Sequence, residues 1–79
     1  MYNIGICGVC KQGLLEIVKD KTTKKIYICC EECEAEWDTP VNALCNKNGT
    51  RGKYGEIIYP SLEEIKAQNW DIEFFEHYN

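Results

Sequence analysis

Two short motifs decide the fold of this chain: Cys7-Gly8-Val9-Cys10, and Cys30-Glu31-Glu32-Cys33, with 19 residues between them. Two intervening residues allow a tight turn that directs both sulfurs of a pair to one point. Two such turns from distant segments complete a tetrahedron, and pairs separated by about 15–20 residues are typical of a Cys₄ zinc site. The sequence therefore predicts one structural Zn²⁺ ion, bound by Cys7, Cys10, Cys30 and Cys33.

The length of the chain explains why a metal is needed. The chain has 79 residues, six of them cysteine, and a core of this size rarely stabilises a domain by more than about 3–5 kcal/mol. Three disulfides would suit a secreted protein, but the N-terminal MYNIGICGVC has no basic stretch followed by an apolar core. We therefore expect a cytoplasmic protein with a single domain over 1–79, in which metal binding and folding are linked.

The other cysteines and the single histidine are weaker candidates for the metal. Cys29 could compete with Cys30, but successive strand residues point to opposite faces, and Cys30 has the better spacing to Cys33. Cys29 and Cys45 are interpreted as small buried hydrophobic residues, with an exposed thiol in a mobile loop as the alternative for Cys45. His77 could replace a cysteine, although a surface imidazole is the preferred interpretation. Iron of the rubredoxin type would use the same four thiolates, which makes a redox function a further alternative.

The segment between the two motifs predicts a β-hairpin. Its strands are 14–18 and 25–29, which are rich in β-prone residues and flank a polar turn. Residues 31–38, EECEAEWD, are mostly good helix formers and predict a helix that ends at Thr39-Pro40. On that helix Glu32 and Glu36 would share a solvated face, and Trp37 would anchor the core over the metal site.

The second half of the chain predicts a loop, a strand, a helix and an aromatic, acidic tail. The loop is NKNGTRGKYG at 46–55, and the strand is 56–59. Ser61 and Glu64 form a capping box for a helix over about 62–68. Ile72 and Phe74 alternate with acids, which favours an edge strand over a helical continuation. The fold class is thus a small α+β domain, with a zinc-finger core at 1–40 on which 41–79 packs.

Two cysteine motifs that flank a hairpin and precede a helix resemble a treble-clef zinc finger, with zinc ribbons as near relatives. The matching residues are the four cysteines, the hairpin and the helix up to Trp37. The resemblance covers the first half of the chain and does not extend to residues 41–79. The chain departs from the family pattern directly after each motif, where Lys11 and Glu34 stand in place of the usual glycine. The family carries many unrelated functions, so the resemblance implies a fold and does not select a function.

Composition favours an interaction module over an enzyme. The net charge is −4, and no Ser-His-Asp set, paired buried carboxylates or open metal site is evident in the sequence. No apolar run approaches a membrane span. Acids beside aromatic residues suit a basic protein partner, and a small, acidic, bacterial-like protein fits the profile of an immunity protein or antitoxin that masks a basic toxin. The residues predicted to bind the partner are Glu32, Glu36, Trp70, Glu73 and Phe74.

Nucleic-acid binding is the alternative function. Lysines cluster at the hairpin tip between Lys19 and Lys25, and the loop between Lys47 and Lys53 is basic and contains no acid. The two segments could form one basic stripe if they adjoin. The net charge argues against this function, and a Cys₄ zinc site would add two further negative charges. The predicted contacts are Lys21, Lys24, Lys25, Arg51 and Lys53.

Overall fold

The computed structural model describes residues 1–76, which form a six-stranded antiparallel sheet with two short helices. The strands are β1 (Tyr2–Ile6), β2 (Leu14–Asp20), β3 (Ile26–Cys30), β4 (Glu36–Trp37), β5 (Ile57–Ile58) and β6 (Phe75–Glu76), and the helices are α1 (Pro40–Cys45) and α2 (Leu62–Lys66). The strand order is β4-β3-β2-β1-β6, and β5 pairs with the far end of β2. The coarse prediction of a small α+β domain with an antiparallel sheet and short helices is confirmed.

The central hairpin pairs β2 with β3 at the predicted position. Its ladder runs from Leu15 opposite Cys30 to Lys19 opposite Ile26. The buried carboxylate of Asp20 closes the turn, because it accepts hydrogen bonds from the Thr23 amide (2.9 Å) and hydroxyl (2.7 Å). A third hydrogen bond, from the amide of Gly55 (3.0 Å), ties this turn to the later loop.

Buried residues lie on both faces of the sheet, and the strand alternation divides the core into two parts. Leu15, Ile17 and Ile28 belong to the larger cluster, which also contains the metal-site cysteines and Trp37. The opposite face carries Val18, Tyr27 and Cys29, and the Tyr54 ring stacks on the Tyr27 ring with 3.9 Å between centroids. The segment around Tyr54 thus covers the second face.

The predicted helix over 31–38 is wrong. Glu34 adopts a positive φ of 62°, which ends the turn after the second cysteine motif, and Glu36–Trp37 then pair with Ile28 and Cys29 as a strand. Local helix propensity is outweighed here by backbone pairing with the edge of β3. Trp37 is buried as predicted, but Glu36 is buried too. Thr39-Pro40 begins a helix instead of ending one, since the Thr39 hydroxyl caps α1 by accepting from the Asn42 amide.

The second half of the chain largely follows the predicted order of elements. β5 lies within the predicted strand, and α2 begins with the predicted capping box, in which the Ser61 and Glu64 side chains each accept from the other's amide. The edge strand predicted around Ile72 and Phe74 lies slightly later, as β6, which begins at Phe75. β6 pairs with β1, and β1 itself was not predicted from the sequence. None of the helices formed by residues 1–76 is long and apolar enough to cross a membrane.

We expect Asp20→Asn to destabilise the domain at neutral pH and to flatten its loss of stability in acid. Hydrogen bonds from the Thr23 hydroxyl and amide, and then from Gly55, hold the pKa of Asp20 below its usual 3.8. Such a carboxylate stabilises the fold above its unfolded pKa, and this contribution is lost as the pH falls through the lower folded value. The measurement is the difference between the urea unfolding midpoints of variant and wild type at each pH from 7 to 4, with zinc in excess, because acid also releases zinc from the thiolates of both proteins.

The control for this prediction is Asp71→Asn, which removes an exposed acid of the tail. This variant should follow the wild-type profile. If Asp20→Asn loses stability on acidification as steeply as the wild type does, the assignment of the acid-sensitive contribution to Asp20 is contradicted.

Candidate metal centre

Four cysteine sulfurs meet between the loop after β1 and the end of β3. The sulfurs of Cys7, Cys10, Cys30 and Cys33 all lie within 4.8 Å of one another. The Cys10–Cys30 and Cys7–Cys33 pairs are 3.5 Å and 3.8 Å apart. A regular tetrahedron with metal–sulfur bonds of ~2.3 Å has edges of about 3.8 Å. The four cysteines predicted from the spacing are thus brought together in a group that could hold a metal ion.

Backbone amides surround these sulfurs and favour their negative charge. Cys7 Sγ accepts from the Val9 amide (3.3 Å), and Cys10 Sγ accepts from the Gly13 amide (3.5 Å). In the second motif, Cys30 Sγ accepts from the amides of Glu32 and Cys33, both at 3.4 Å. Hydrogen bonds of this kind orient ligands around a metal and stabilise thiolates.

The surroundings of the thiols shift their pKa values in different directions. The amides of Gly13 and Gln12 lower the pKa of Cys10 to about 6. Burial raises the pKa of Cys30 to about 12. Burial also acts on Cys33, but hydrogen bonds from the Ala35 amide and from neighbouring sulfurs outweigh it and lower the pKa. Since thiolates are the ligands that metals bind, an ion entering the cluster displaces the remaining protons.

The two motifs share an unusual backbone conformation at the residue that follows each of them. Lys11 has a φ of 59° and Glu34 has a φ of 62°. Both angles lie in the left-handed region, where glycine is favoured because a β-carbon is crowded. These are the two positions at which the chain departs from the treble-clef pattern, so the turn geometry is present although the usual glycine is not.

We expect Lys11→Gly and Glu34→Gly to stabilise the metal-bound domain by roughly 0.5–1 kcal/mol each. Glycine relieves the steric cost of the left-handed conformation, and part of the gain is offset by the greater freedom of the unfolded chain. Denaturant unfolding at fixed zinc concentration measures the change. Glu32→Gly is the matched control, because Glu32 is not among the residues with positive φ; stabilisation by this variant to the same extent would contradict the explanation.

The cluster is closed by protein on its inner side. Cys7 and Cys30 are fully buried and belong to the same core cluster as Ile4, Leu15 and Trp37. Cys10 and Cys33 are half-buried and pack against that cluster. A shell of four thiolates leaves no position for a reacting water, so such a centre is suited to hold structure and not to catalyse a reaction.

The remaining cysteines lie away from the cluster. Cys29 is buried on the opposite face of the sheet, as predicted, and burial raises the pKa of its thiol to about 11. Cys45 is exposed at the end of α1, so its interpretation as a buried residue is wrong. Its short helix ends there, before a chain reversal at Asn46. His77, the alternative ligand, lies outside the described residues.

A further residue of the site is Gly13, which the sequence analysis did not identify. A β-carbon at this position would lie 2.7 Å from Cys30 Sγ and 2.8 Å from Glu32 Cγ. Real β-carbons essentially never approach another heavy atom so closely. The only signal in the sequence is a glycine three residues after Cys10, and nothing there indicates contact with the second motif.

The residues predicted to bind a protein partner are only partly available. Glu36 is buried, and its carboxylate accepts hydrogen bonds from the Thr50 hydroxyl (2.9 Å) and the Lys53 amide (3.0 Å). Its prediction as a solvated contact is therefore wrong. Trp70 and Phe74 pack against the core cluster, while Glu32 and Glu73 are exposed.

The predicted basic stripe is interrupted by acids. Lys25 and Lys53 approach the same carboxylate, that of Asp38, at 3.4 Å and 3.3 Å. The hairpin tip and the loop therefore adjoin, but Asp38 balances their charge. Of the other predicted contacts, Lys21 pairs with Glu56 (2.9 Å), Arg51 Nε donates to the Cys33 carbonyl (3.0 Å), and Lys24 is exposed. Nucleic-acid binding remains an untested prediction that this arrangement does not favour.

Comparisons of this chain with protein-family models, with curated proteins and with solved structures found no match. The treble-clef resemblance therefore depends on the cysteine cluster alone. The structure also lacks the helix directly after Cys33 that the resemblance requires, because a turn and β4 follow the second motif.

Proposed function

We propose that this protein is a noncatalytic interaction module, held together by one structural zinc ion, that binds a basic protein partner. The geometry of the four sulfurs and the chemistry of an all-thiolate set support zinc. The closed shell supports a structural role. The partner is proposed from the charge and the exposed aromatic residues of one sheet face.

A row of residues crosses this face from β6 to β4. Phe75 is opposite Asn3, Asn3 is opposite Glu16, and Glu16 is opposite Cys29. Residues directly opposite each other in an antiparallel ladder project to the same side of the sheet. Phe75 therefore lies on the same face as Glu16, and Phe74 points to the core, where its ring meets the Tyr2 ring edge-on.

Two half-exposed aromatic rings lie on the side of the sheet that carries Glu16, which is buried, and the exposed acid Glu31. Tyr59 and Phe75 have 54% and 55% of their surface exposed. Tyr59 directly follows Ile58, which is opposite Lys19 at the edge of β2. Burial, and then the charges of Glu16 and Glu31, raise the pKa of Tyr59. We refer to Glu16, Glu31, Tyr59 and Phe75 as the acidic aromatic face. A lysine or arginine of a partner could contact a carboxylate and a ring together, which favours binding of cations.

Four lysines near this side of the sheet are matched by acids. Lys25 and Lys53 lie over the Tyr54 ring, where both approach the carboxylate of Asp38. Lys19 is paired with Glu64 and Lys21 with Glu56. Within residues 1–76, Glu31 takes part in no ion pair; its carboxylate accepts a hydrogen bond from the Leu14 amide. The single observation that carries the proposal is the exposure of two aromatic rings, Tyr59 and Phe75, on an acidic protein that also exposes the carboxylate of Glu31. An immunity protein or antitoxin that masks a basic toxin would have such a surface.

Affinity purification from an extract of the native host tests this function. The tagged zinc-loaded protein is compared with the double variant Tyr59→Ala/Phe75→Ala and with Glu31→Lys, and bound proteins are identified by mass spectrometry. We expect the wild type to retain a basic protein in stoichiometric amount and both variants to lose it. Glu63→Lys, which reverses an exposed acid on α2, is the control and should retain it.

Two results would contradict the proposal. One is a partner that the wild type and the double variant retain equally. The other is material that nuclease releases from the wild type, because this result would support the nucleic-acid alternative.

A further inference from the structure

A cleft of about 360 Å³ lies between the first cysteine motif, β4 and the loop after α1. Its volume falls in the range of about 300–1,000 Å³ that small-ligand pockets occupy. Val9, Ala35 and Trp37 form its apolar wall. Val9 is exposed, whereas Trp37 is almost completely buried, so the cleft reaches from the surface to the core.

The polar wall of this cleft carries a positive charge. It consists of Asn46, Thr50 and Arg51. Among residues 1–76 no acid lines the cleft, although the chain as a whole has a net charge of −4. Arg51 Nε donates to the Cys33 carbonyl at 3.0 Å. This hydrogen bond positions the guanidinium and leaves its two terminal nitrogens available as donors in the geometry that suits a carboxylate.

The cleft also borders a hydrogen-bond donor that lacks an acceptor. Trp37 Nε1 is buried, and among residues 1–76 it has no hydrogen-bond partner. Buried donors are normally paired, so an unpaired one calls for an explanation. Gly49, which also lines the cleft, lies against this nitrogen: a β-carbon there would be 3.0 Å from Nε1. Glycine thus keeps side-chain atoms away from the indole N–H.

We propose that this cleft binds a carboxylate attached to an apolar group. The apolar group packs against Val9 and Trp37, and the carboxylate accepts hydrogen bonds from Arg51. The carboxylate belongs either to a peptide C-terminus or to a free organic acid. This site is separate from the acidic aromatic face, so its test does not depend on the proposed function.

The indole N–H signal of Trp37 is a direct measure of this binding. The chain contains two tryptophans, and Trp70→Phe assigns their two signals in the ¹H–¹⁵N spectrum of the zinc-loaded protein. The probes are N-acetyl-leucine, its uncharged amide and hexanoate. We expect both carboxylates to shift the Trp37 signal and the amide signals of Gly49 and Arg51 to saturation, and the uncharged amide to leave them in place.

Variants of the loop identify which positive charge binds the carboxylate. Arg51→Gln should weaken binding at least tenfold, and Arg51→Lys, which keeps the charge but loses the planar fork, should weaken it less. Lys47→Gln is the matched control, because it removes the same charge from the same loop but does not line the cleft. It should bind the probes with wild-type affinity.

The outcomes separate the possibilities as follows. Tighter binding of N-acetyl-leucine supports the proposal with a peptide C-terminus as ligand, and tighter binding of hexanoate supports it with a free acid. The proposal is overturned if neither carboxylate shifts the Trp37 signal at millimolar concentration, or if the uncharged amide shifts it equally. Equal weakening by Arg51→Gln and Lys47→Gln would also overturn it, because the effect would then be one of net charge.

Discussion

Chelation of the metal is expected to unfold the domain. Two of the four sulfurs, those of Cys7 and Cys30, are completely buried in the larger core cluster, and both cysteine turns direct amides at sulfur. Structural zinc contributes roughly 10–16 kcal/mol of apparent binding energy, whereas whole domains are stable by only about 5–15 kcal/mol. We therefore expect this 79-residue chain to lose its fold when the metal is removed. Far-ultraviolet circular dichroism before and after chelation, and after zinc is restored, measures the change.

Metal content and cysteine variants make this expectation specific. Elemental analysis should find one zinc per chain in a colourless protein. Cys30→Ser should behave as the chelated wild type does, and Cys45→Ser should not, because Cys45 is an exposed thiol outside the cluster. A spectrum that chelation leaves unchanged, or a protein without bound metal, would contradict the structural role. A red protein that contains iron would favour the redox alternative.

The cluster of four cysteines was accessible to sequence analysis because its determinants are local. Each cysteine pair lies within four residues, and the hairpin that joins Cys10 to Cys30 consists of adjacent β-prone runs with a polar turn between them. The capping box of Ser61 and Glu64 is local too, and it begins a helix in the structure. Features whose hydrogen bonds form within a few residues can be inferred from pattern and spacing alone.

The features that sequence analysis missed, such as β4, β1 and the burial of Glu36, depend on contacts between residues far apart in the chain. In the sequence Glu36 looks like a solvated helical residue. In the structure its buried carboxylate accepts hydrogen bonds from Thr50, Lys53 and Tyr54, which follow it by 14 to 18 positions. β1 has no clear alternation and contains Gly5 at a positive φ, and one of its partners is β6, more than seventy residues away. Such pairings decide how far each side chain is exposed: Trp70 and Phe74 are partly buried against the core cluster, whereas Phe75 is more than half exposed.

Gly13→Ala is expected to weaken zinc binding, although it adds a single methyl group and Gly13 lies outside both cysteine motifs. The new β-carbon would lie 2.7 Å from Cys30 Sγ and 2.9 Å from Glu32 Cβ. The exposed Glu32 side chain can partly adjust, but Cys30 Sγ cannot move without leaving the tetrahedron. Overpacking of this kind costs about 1–3 kcal/mol, which corresponds to a loss of roughly fivefold to 150-fold in zinc affinity. Competition against a chromogenic chelator measures that affinity.

Gly8→Ala is the matched control, because it makes the same chemical change within the first motif. A β-carbon at Gly8 would meet no atom within 4 Å, and neither glycine has a positive φ. Alanine should therefore be tolerated at 8 and not at 13, although position 8 lies between two ligands and position 13 lies outside the motif. Equal zinc affinity for the two variants would contradict the close approach of Gly13 to Cys30. A larger loss at 8 than at 13 would show that the two turns are arranged differently around the metal.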